Sequence, residues 1–418
     1  MAAMKRRDFL SLTTLAAGGA FLTTRLAFAN VSARKPRFVL VIMRGALDGI
    51  AAVPPYGDPD YAGLRREVAL AAPGGSGAAL PLNGFFGLHP ALSFLQQSYA
   101  ARELIVFHAL ASPYRERSHF DGQDVLENGA LKAHALPSGW LNRALTQLPG
   151  RAPREAGVAL GQNVPLVMRG PAQVTSWSPS KMSALDEDTL ARLTDLYAND
   201  KLLSVRLADA TAADALVAGE DGMQGMTPAA AALPGQAAAQ PTAPAANARY
   251  AQLVQAAAGF LRQEEGPRVA VFDTTGWDTH ANEGGAEGQL AGRLGALDKG
   301  LASLRQELGP VWSDTAVLLV TEFGRTAAVN GTRGTDHGTG AAAFLLGGAV
   351  AGGRVIADWP GLSARALYQG RDLNPTLDLR AVFKGILSEH LGVPARALDD
   401  SVFPDSAATR ALRGLVRA

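Results

Sequence analysis

The chain contains no cysteine. That excludes disulfides, thiolate metal ligands and a cysteine nucleophile, so any bound metal has to sit on oxygen and imidazole. Charge is sparse as well. Acidic and basic residues together make up 18% of the 418 residues and nearly cancel, leaving a formal net charge of +1. A balance that even gives no electrostatic footprint for nucleic acid. Imidazole is scarce, with seven histidines in all, so a histidine paired with an acid is informative.

What is present begins with an address. Lys5-Arg6-Arg7-Asp8-Phe9-Leu10 is a twin-arginine signature followed by a mildly apolar stretch, and Ala27-Phe28-Ala29 offers the small residues that a signal peptidase reads. Residues 1–29 are expected to be a twin-arginine signal peptide cleaved before Asn30, with an N-terminal anchor helix as the alternative. The apolar run is short and rich in Gly and Thr, a poor bilayer span. The expected location is periplasmic or secreted, with the twin-arginine translocase as a partner during export and no stable membrane span after cleavage.

Residues 30–418 read as one domain. Strand-like apolar runs at 38–43, 104–108, 164–168, 269–272, 316–321 and 342–346 alternate with helical patterns at 90–101, 121–128, 183–207, 289–307 and 377–391, and a further helix begins near Tyr250. Near-continuous apolar strands suit a parallel sheet covered on both faces. The alternation predicts an α/β fold, a three-layer α/β/α sandwich with a mostly parallel sheet. Residues 219–247 turn to Ala, Gly, Pro and Gln, a low-complexity insertion with no core of its own.

The polar residues cluster where apolar runs end, and in α/β folds the carboxyl ends of strands are where ligands bind. Asp48 lies in a loop bracketed by Gly45 and Gly49, either as a cation ligand or as a helix cap. Asp278 and His280 form a D-x-H pair that can reach one ion, with Asp273 nearby as a ligand or an orienting group. Asp336 and His337 form a second acid–imidazole pair. Glu322 ends a strand and is either a ligand or half of an ion pair with Arg325.

The loop from Ser112 to Phe120 leads into a helix. Ser118 there is a candidate nucleophile or merely the helix cap, and His119 and Asp121 are candidate site residues. Arg44, Arg115 and Arg325 are candidates for holding a substrate oxyanion, while Arg117 offers the same chemistry. His89, His108, His134 and His390 have no paired neighbours in sequence and read as structural or surface residues.

Arg44-Gly-Ala-Leu-Asp48-Gly, Gly87-Leu-His-Pro-Ala-Leu92, Ser118-His-Phe-Asp121, Gly139-Trp-Leu-Asn142-Arg143, Trp277-Asp-Thr-His280, Thr321-Glu-Phe-Gly-Arg325-Thr and Asp336-His337-Gly resemble the bacterial "domain of unknown function 1501" family. That family is itself similar to the alkaline phosphatase and sulfatase superfamily. The resemblance implies an alkaline-phosphatase-like sandwich with Asp48 as the first-strand carboxylate, Ser118 as nucleophile, Asp278 with His280 as a metal pair and His337 as the last histidine. Two departures stand out. Glu322-Phe323 replaces an adjacent Asp-His pair, which removes one imidazole, and Ser118-His-Phe-Asp lacks the C/S-x-P-x-R context of sulfatases.

The expected activity is that of an exported metal-dependent hydrolase or transferase acting on a phosphate or sulfate ester of a small molecule or glycan. Its cofactor would be one or two divalent ions, with zinc, manganese, iron, magnesium and calcium all open. The alternative is a non-catalytic metal- or glycan-binding protein that keeps the fold.

Overall fold

The computed structural model describes residues 35–149, 156–179 and 243–417, with short stretches between 192 and 211. The expected signal peptide, most of the 219–247 insertion and most of the 183–207 helix lie outside the described residues.

Three sequence patterns set the architecture. The first is the apolar run of β1 (Arg37–Arg44), where every residue from Phe38 to Met43 is buried. Alternate side chains point to opposite faces. Val39, Val41 and Met43 therefore join one core with Leu253, Leu294 and Leu301, while Phe38, Leu40 and Ile42 join the other with Trp140, Val382 and Phe383. The sheet is thus sandwiched between two helical layers.

The second pattern is the strand set around it. In chain order these are β2 (Leu80–Pro81), β3 (Gly87–Leu88), β4 (Leu104–Ala111), β5 (Gly157–Leu160), β6 (Val174–Trp177), β7 (Val269–Thr275), β8 (Thr315–Val320), β9 (Ala341–Leu346), β10 (Arg354–Ile356) and β11 (Leu377–Asp378). The main sheet runs β10-β4-β9-β8-β1-β7-β5-β6, with β11 also on β4, and β2 and β3 form a separate ribbon. β9 is antiparallel to both of its neighbours and the other pairs in the main sheet are parallel. Because β9 runs backwards, its amino end, preceded by Asp336 and His337, lies at the edge where β1, β7 and β8 finish.

The third is helical. The helices used below are α1 (Gly49–Ala52), α2 (Tyr61–Arg65), α3 (Ser93–Ala100), α4 (His119–Asn128), α5 (Trp140–Leu145), α6 (Ala243–Arg262), α7 (Gln289–Leu308) and α8 (Leu379–Glu389). α7 buries Leu290, Leu294, Leu297, Leu301, Leu304 and Leu308, spacings of three and four that place one apolar stripe on the sheet. α6 starts within the expected insertion, so the last residues of that segment are helical.

One strand expectation fails. Residues 164–168 are not a strand: Leu166–Met168 is a short 3-10 turn entered from Pro165, and Glu127 takes the Val167 amide at 2.9 Å. Pro165 has no N–H for a sheet ladder, which explains the preference. That side of the sheet is completed instead by β5 and by the edge strand β6, each four residues long.

Candidate metal centre

The site is built at the strand edge from four segments. His119 opens α4, Asp278 and His280 follow β7, Glu322 and Arg325 follow β8, and His337 precedes β9. Gly45, just after β1, takes φ 115°, and a Cβ there would lie 2.9 Å from the Asp278 amide. That glycine is needed because the β1 loop packs directly on the loop carrying Asp278.

Asp278 is the focus. His280 Nε2 lies 3.0 Å and His337 Nε2 3.1 Å from its Oδ1, while His119 Nε2 lies 3.4 Å from Oδ2. The two nitrogens of His280 and His337 are only 3.1 Å apart. One ligand atom each from His119, Asp278 and His337 falls within 4.8 Å of the others, spacing that fits a single ion.

Every imidazole is also held from behind. His119 Nδ1 faces Glu322 Oε1 at 2.8 Å, His280 Nδ1 faces Asp336 Oδ1 at 3.2 Å, and His337 Nδ1 faces the Arg117 carbonyl at 3.0 Å. A carbonyl or carboxylate can only accept, so each Nδ1 carries the hydrogen. A neutral ring then presents a bare Nε2 lone pair. Three such lone pairs and a carboxylate converge, which is repulsive unless a cation or protons intervene. Imidazoles backed by acceptors in this way are a recurring feature of metal sites.

The electrostatics follow from that arrangement. Burial alone would raise Asp278, but hydrogen bonds from His119, His337 and Arg325 outweigh it and hold the carboxyl well below its ordinary range. Asp278 and then Glu322 push His119 up to about 9, so with no metal bound a proton takes the cation's place. Burial would likewise raise Glu322, and the His119 contact prevails and lowers it. Asp336 is lowered chiefly by Asn330, whose Nδ2 donates at 3.0 Å.

Several expected roles shift. Asp48 is not brought into the cluster: it is fully buried, its carboxylate takes both terminal nitrogens of Arg65 at 2.5 and 2.7 Å, and it caps α1 through the Ala51 amide. The positive charge beside it is a guanidinium. Glu322 and Asp336 stand behind histidines rather than facing the centre. Glu322 Oε1 also takes the Gly45 amide and Gln123 Nε2, and its Oε2 takes the Thr321 hydroxyl. His119, expected as a catalytic group, stands with Asp278 and His337 in a group that could hold a metal ion.

The candidate oxyanion clamps are mostly committed elsewhere. Arg325 has a fully buried side chain spent on Asp278 and on Thr335, rather than on Glu322. Arg115 donates to the carbonyls of Ser112 and Tyr114 in its own loop. Arg44 bridges Glu127 and Asp273, so Asp273 does not orient His280. It still borders a cavity of about 630 Å³ that Phe120, His134 and Arg169 also line. Arg117 pairs with Asp372 and takes φ 65°, an uncommon backbone for a residue with a side chain, in the peptide whose carbonyl meets His337.

Ser118 occupies the cap position of α4 without capping it. Its amide donates to the Tyr114 hydroxyl at 3.1 Å, and among the described residues its own hydroxyl has no hydrogen-bond partner. Asp121 lies 3.5 Å from the exposed His134 and away from the cluster. His89, His108 and His390 bond to backbone groups, as structural histidines do. Arg65 and Glu283 carried no sequence signal strong enough to single them out.

The sequence matches the family described as "Protein of unknown function (DUF1501)" over residues 108–402, and the chain belongs to that family. No curated protein matches it. Among solved structures, Ps i-CgsB in complex with k-i-k-neocarrahexaose overlaps 90% of this chain and 77% of its own, at 10% identity and a TM-score of 0.39. The lipoteichoic acid synthase LtaP from Listeria monocytogenes overlaps 79% and 68%, at 11% identity and a TM-score of 0.30.

Proposed function

We propose that this DUF1501 protein binds one divalent metal ion at Asp278, His119, His280 and His337 and uses it to hydrolyse or transfer a phosphate or sulfate ester. The observation that carries the reading is the convergence of three Nε2 lone pairs on one carboxylate, each ring fixed by an acceptor behind it. With only nitrogen and oxygen donors, zinc, manganese and iron suit the set better than calcium.

A divalent ion at such a centre supplies Lewis-acid polarisation and neutralises charge on the transferred group. Ser118, at the start of α4 beside His119, is the proposed nucleophile. Its oxygen would bond to phosphorus or sulfur as the ester oxygen departs carrying the serine proton, and water would then hydrolyse the phosphate or sulfate ester formed on Ser118. Arg44, bordering the neighbouring cavity, is the remaining candidate for holding substrate oxygens. The proposed setting is extracytoplasmic, by the twin-arginine route. Among the described residues no helix is long and apolar enough to cross a membrane.

A second reading has its own support. Arg325 and Arg115 are consumed by contacts within the chain, and Arg44 is doubly paired, so no unengaged arginine clamp stands among the three. That favours a metal-binding protein without turnover. Hydrolysis of aryl phosphate and aryl sulfate by metal-loaded protein, with Ser118→Ala and His337→Ala as controls, separates the two. Turnover lost in both variants supports the enzyme. Equal rates in all three proteins point to background hydrolysis and the binding role.

A further inference from the structure

Behind the metal centre lies a second, fully buried set of charges: Asp48, Arg65 and Glu283. Glu283 Oε2 accepts from the hydroxyls of Thr279 at 3.0 Å and Thr335 at 2.8 Å. Those threonines sit in the two loops that carry Asp278 with His280, and Asp336 with His337. The loops are also joined by the Thr335 amide donating to the Thr279 carbonyl at 3.1 Å. Thr335 continues the chain of contacts, since its Oγ1 accepts from Arg325 Nε and Arg325 in turn holds Asp278.

The other oxygen, Glu283 Oε1, is buried and receives no donor. The Glu283 carboxyl also meets the Asp48 carboxyl, which is already occupied by Arg65 and the Ala51 amide. Two carboxylates cannot hydrogen-bond unless one carries a proton. Arg65 can balance one negative charge in this set, and Asp48 takes both of its terminal nitrogens. Of the other titratable groups nearby, His108 is neutral and fully buried against the Val53 carbonyl, and Tyr61 is a neutral phenol accepting from the Leu70 amide.

We propose that Glu283 is a positioning residue that works as a neutral carboxylic acid, its proton bridging to Asp48 while its second oxygen draws the Thr279 and Thr335 hydroxyls together and so holds the Arg325–Asp278 side of the metal centre. Burial, and then the Asp48 charge, raise Glu283 to about 8, in keeping with that state. The inference rests on the metal reading for its effect on the ion, but the protonation claim stands apart from it.

Glutamine is the neutral mimic: its carbonyl can accept from both threonines and its amide can donate to Asp48. Full-length wild type, Glu283→Gln and Glu283→Ala are compared for zinc affinity at pH 7 and for melting temperature, with metal removed, from pH 5 to 8.5. Glu283→Gln is expected to bind zinc within a few-fold of wild type, and Glu283→Ala at least tenfold more weakly.

A glutamate whose folded pKa is raised loses stability as pH climbs from its unfolded value to its folded one, and glutamine has no such loss. The melting temperature of Glu283→Gln should therefore rise relative to wild type across this range. A difference that stays constant with pH, or a Glu283→Gln protein as weak for zinc as Glu283→Ala or unable to fold, overturns the proposal. If wild type binds no zinc, the metal reading fails, and the melting comparison alone decides whether Glu283 is a neutral acid.

Discussion

His280 Nε2 and His337 Nε2 face each other at 3.1 Å across Asp278 Oδ1, although neither nitrogen has a hydrogen to offer when its ring is neutral. Asp336 and the Arg117 carbonyl enforce that state from the far side of each ring. The arrangement calls for a shared positive charge, and the chain's scarce imidazoles are spent on creating the demand.

The demand can be met by protons when no metal is present, and His119, at about 9, holds one near neutrality. Metal binding at pH 7 should therefore expel about one proton per ion, with affinity weakening as pH falls. Calorimetric titration in two buffers of different ionisation heat measures the number. Zero proton release would show that His119 is not a ligand.

Glu322→Gln tests the support behind His119. The amide keeps the shape but removes the negative charge that orients and enriches the ring. Losses of an acceptor behind a metal-binding histidine typically cost ~10–100-fold in affinity. The same fall is expected here, with little change in the far-ultraviolet circular dichroism. Unchanged zinc affinity would mean that Glu322 only ties Gly45 and Gln123 together.

Asp48 and Arg65 form a pair with side chains 1% exposed. Arg65→Met strands a buried carboxylate and should destabilise the fold by roughly 3–5 kcal/mol, whereas a double variant with Asp48→Leu as well should recover much of that. Urea unfolding of the two single variants and the double variant gives the coupling directly. Strictly additive losses would show that the pair does not act as a unit.

His108 predicts the acid behaviour. Burial lowers it to about 4, and its ring bonds the Val53 carbonyl at 3.1 Å. Because the folded value lies below the unfolded value near 6.5, the unfolded chain binds the proton more tightly between the two. This contribution to stability is complete above pH 6.5 and is lost as pH falls toward 4, at about 1.4 kcal/mol per pH unit. Urea unfolding of wild type and His108→Asn at pH 7 and pH 4.5 checks it, since the variant should show a smaller difference. Equal pH slopes would contradict it.

The central strands were readable because their side chains are buried on both faces, which leaves uninterrupted apolar runs such as Val39–Met43 and Ala316–Val320. The 164–168 run was misread because apolar content alone does not reveal that Pro165 withholds a ladder donor. Asp278, His280 and His337 were legible for a chemical reason: scarce imidazoles beside acids, in loops next to strands. The direction of β9 was not legible, yet it is what delivers His337 to the same edge.

Asp48 shows the limit in reverse. A carboxylate at a strand tip looks like a ligand in sequence, and only folding reveals that Arg65, seventeen residues away on a short helix, supplies its cation. Glu322 and Asp336 illustrate a related ambiguity. Residue type and spacing mark an acid as near the cluster, but whether it faces the converging imidazole nitrogens or the back of a histidine depends on a side-chain direction that sequence does not carry.

The central claim is a single metal ion held by Asp278 and the three imidazoles. Elemental analysis of the full chain, purified without a metal-binding tag, measures it directly, together with His280→Ala and His337→Ala made the same way. The account predicts about one divalent ion per wild-type chain and strong depletion in both variants. No ion in wild type after incubation with zinc, manganese or iron, or equal metal content in all three proteins, would contradict it.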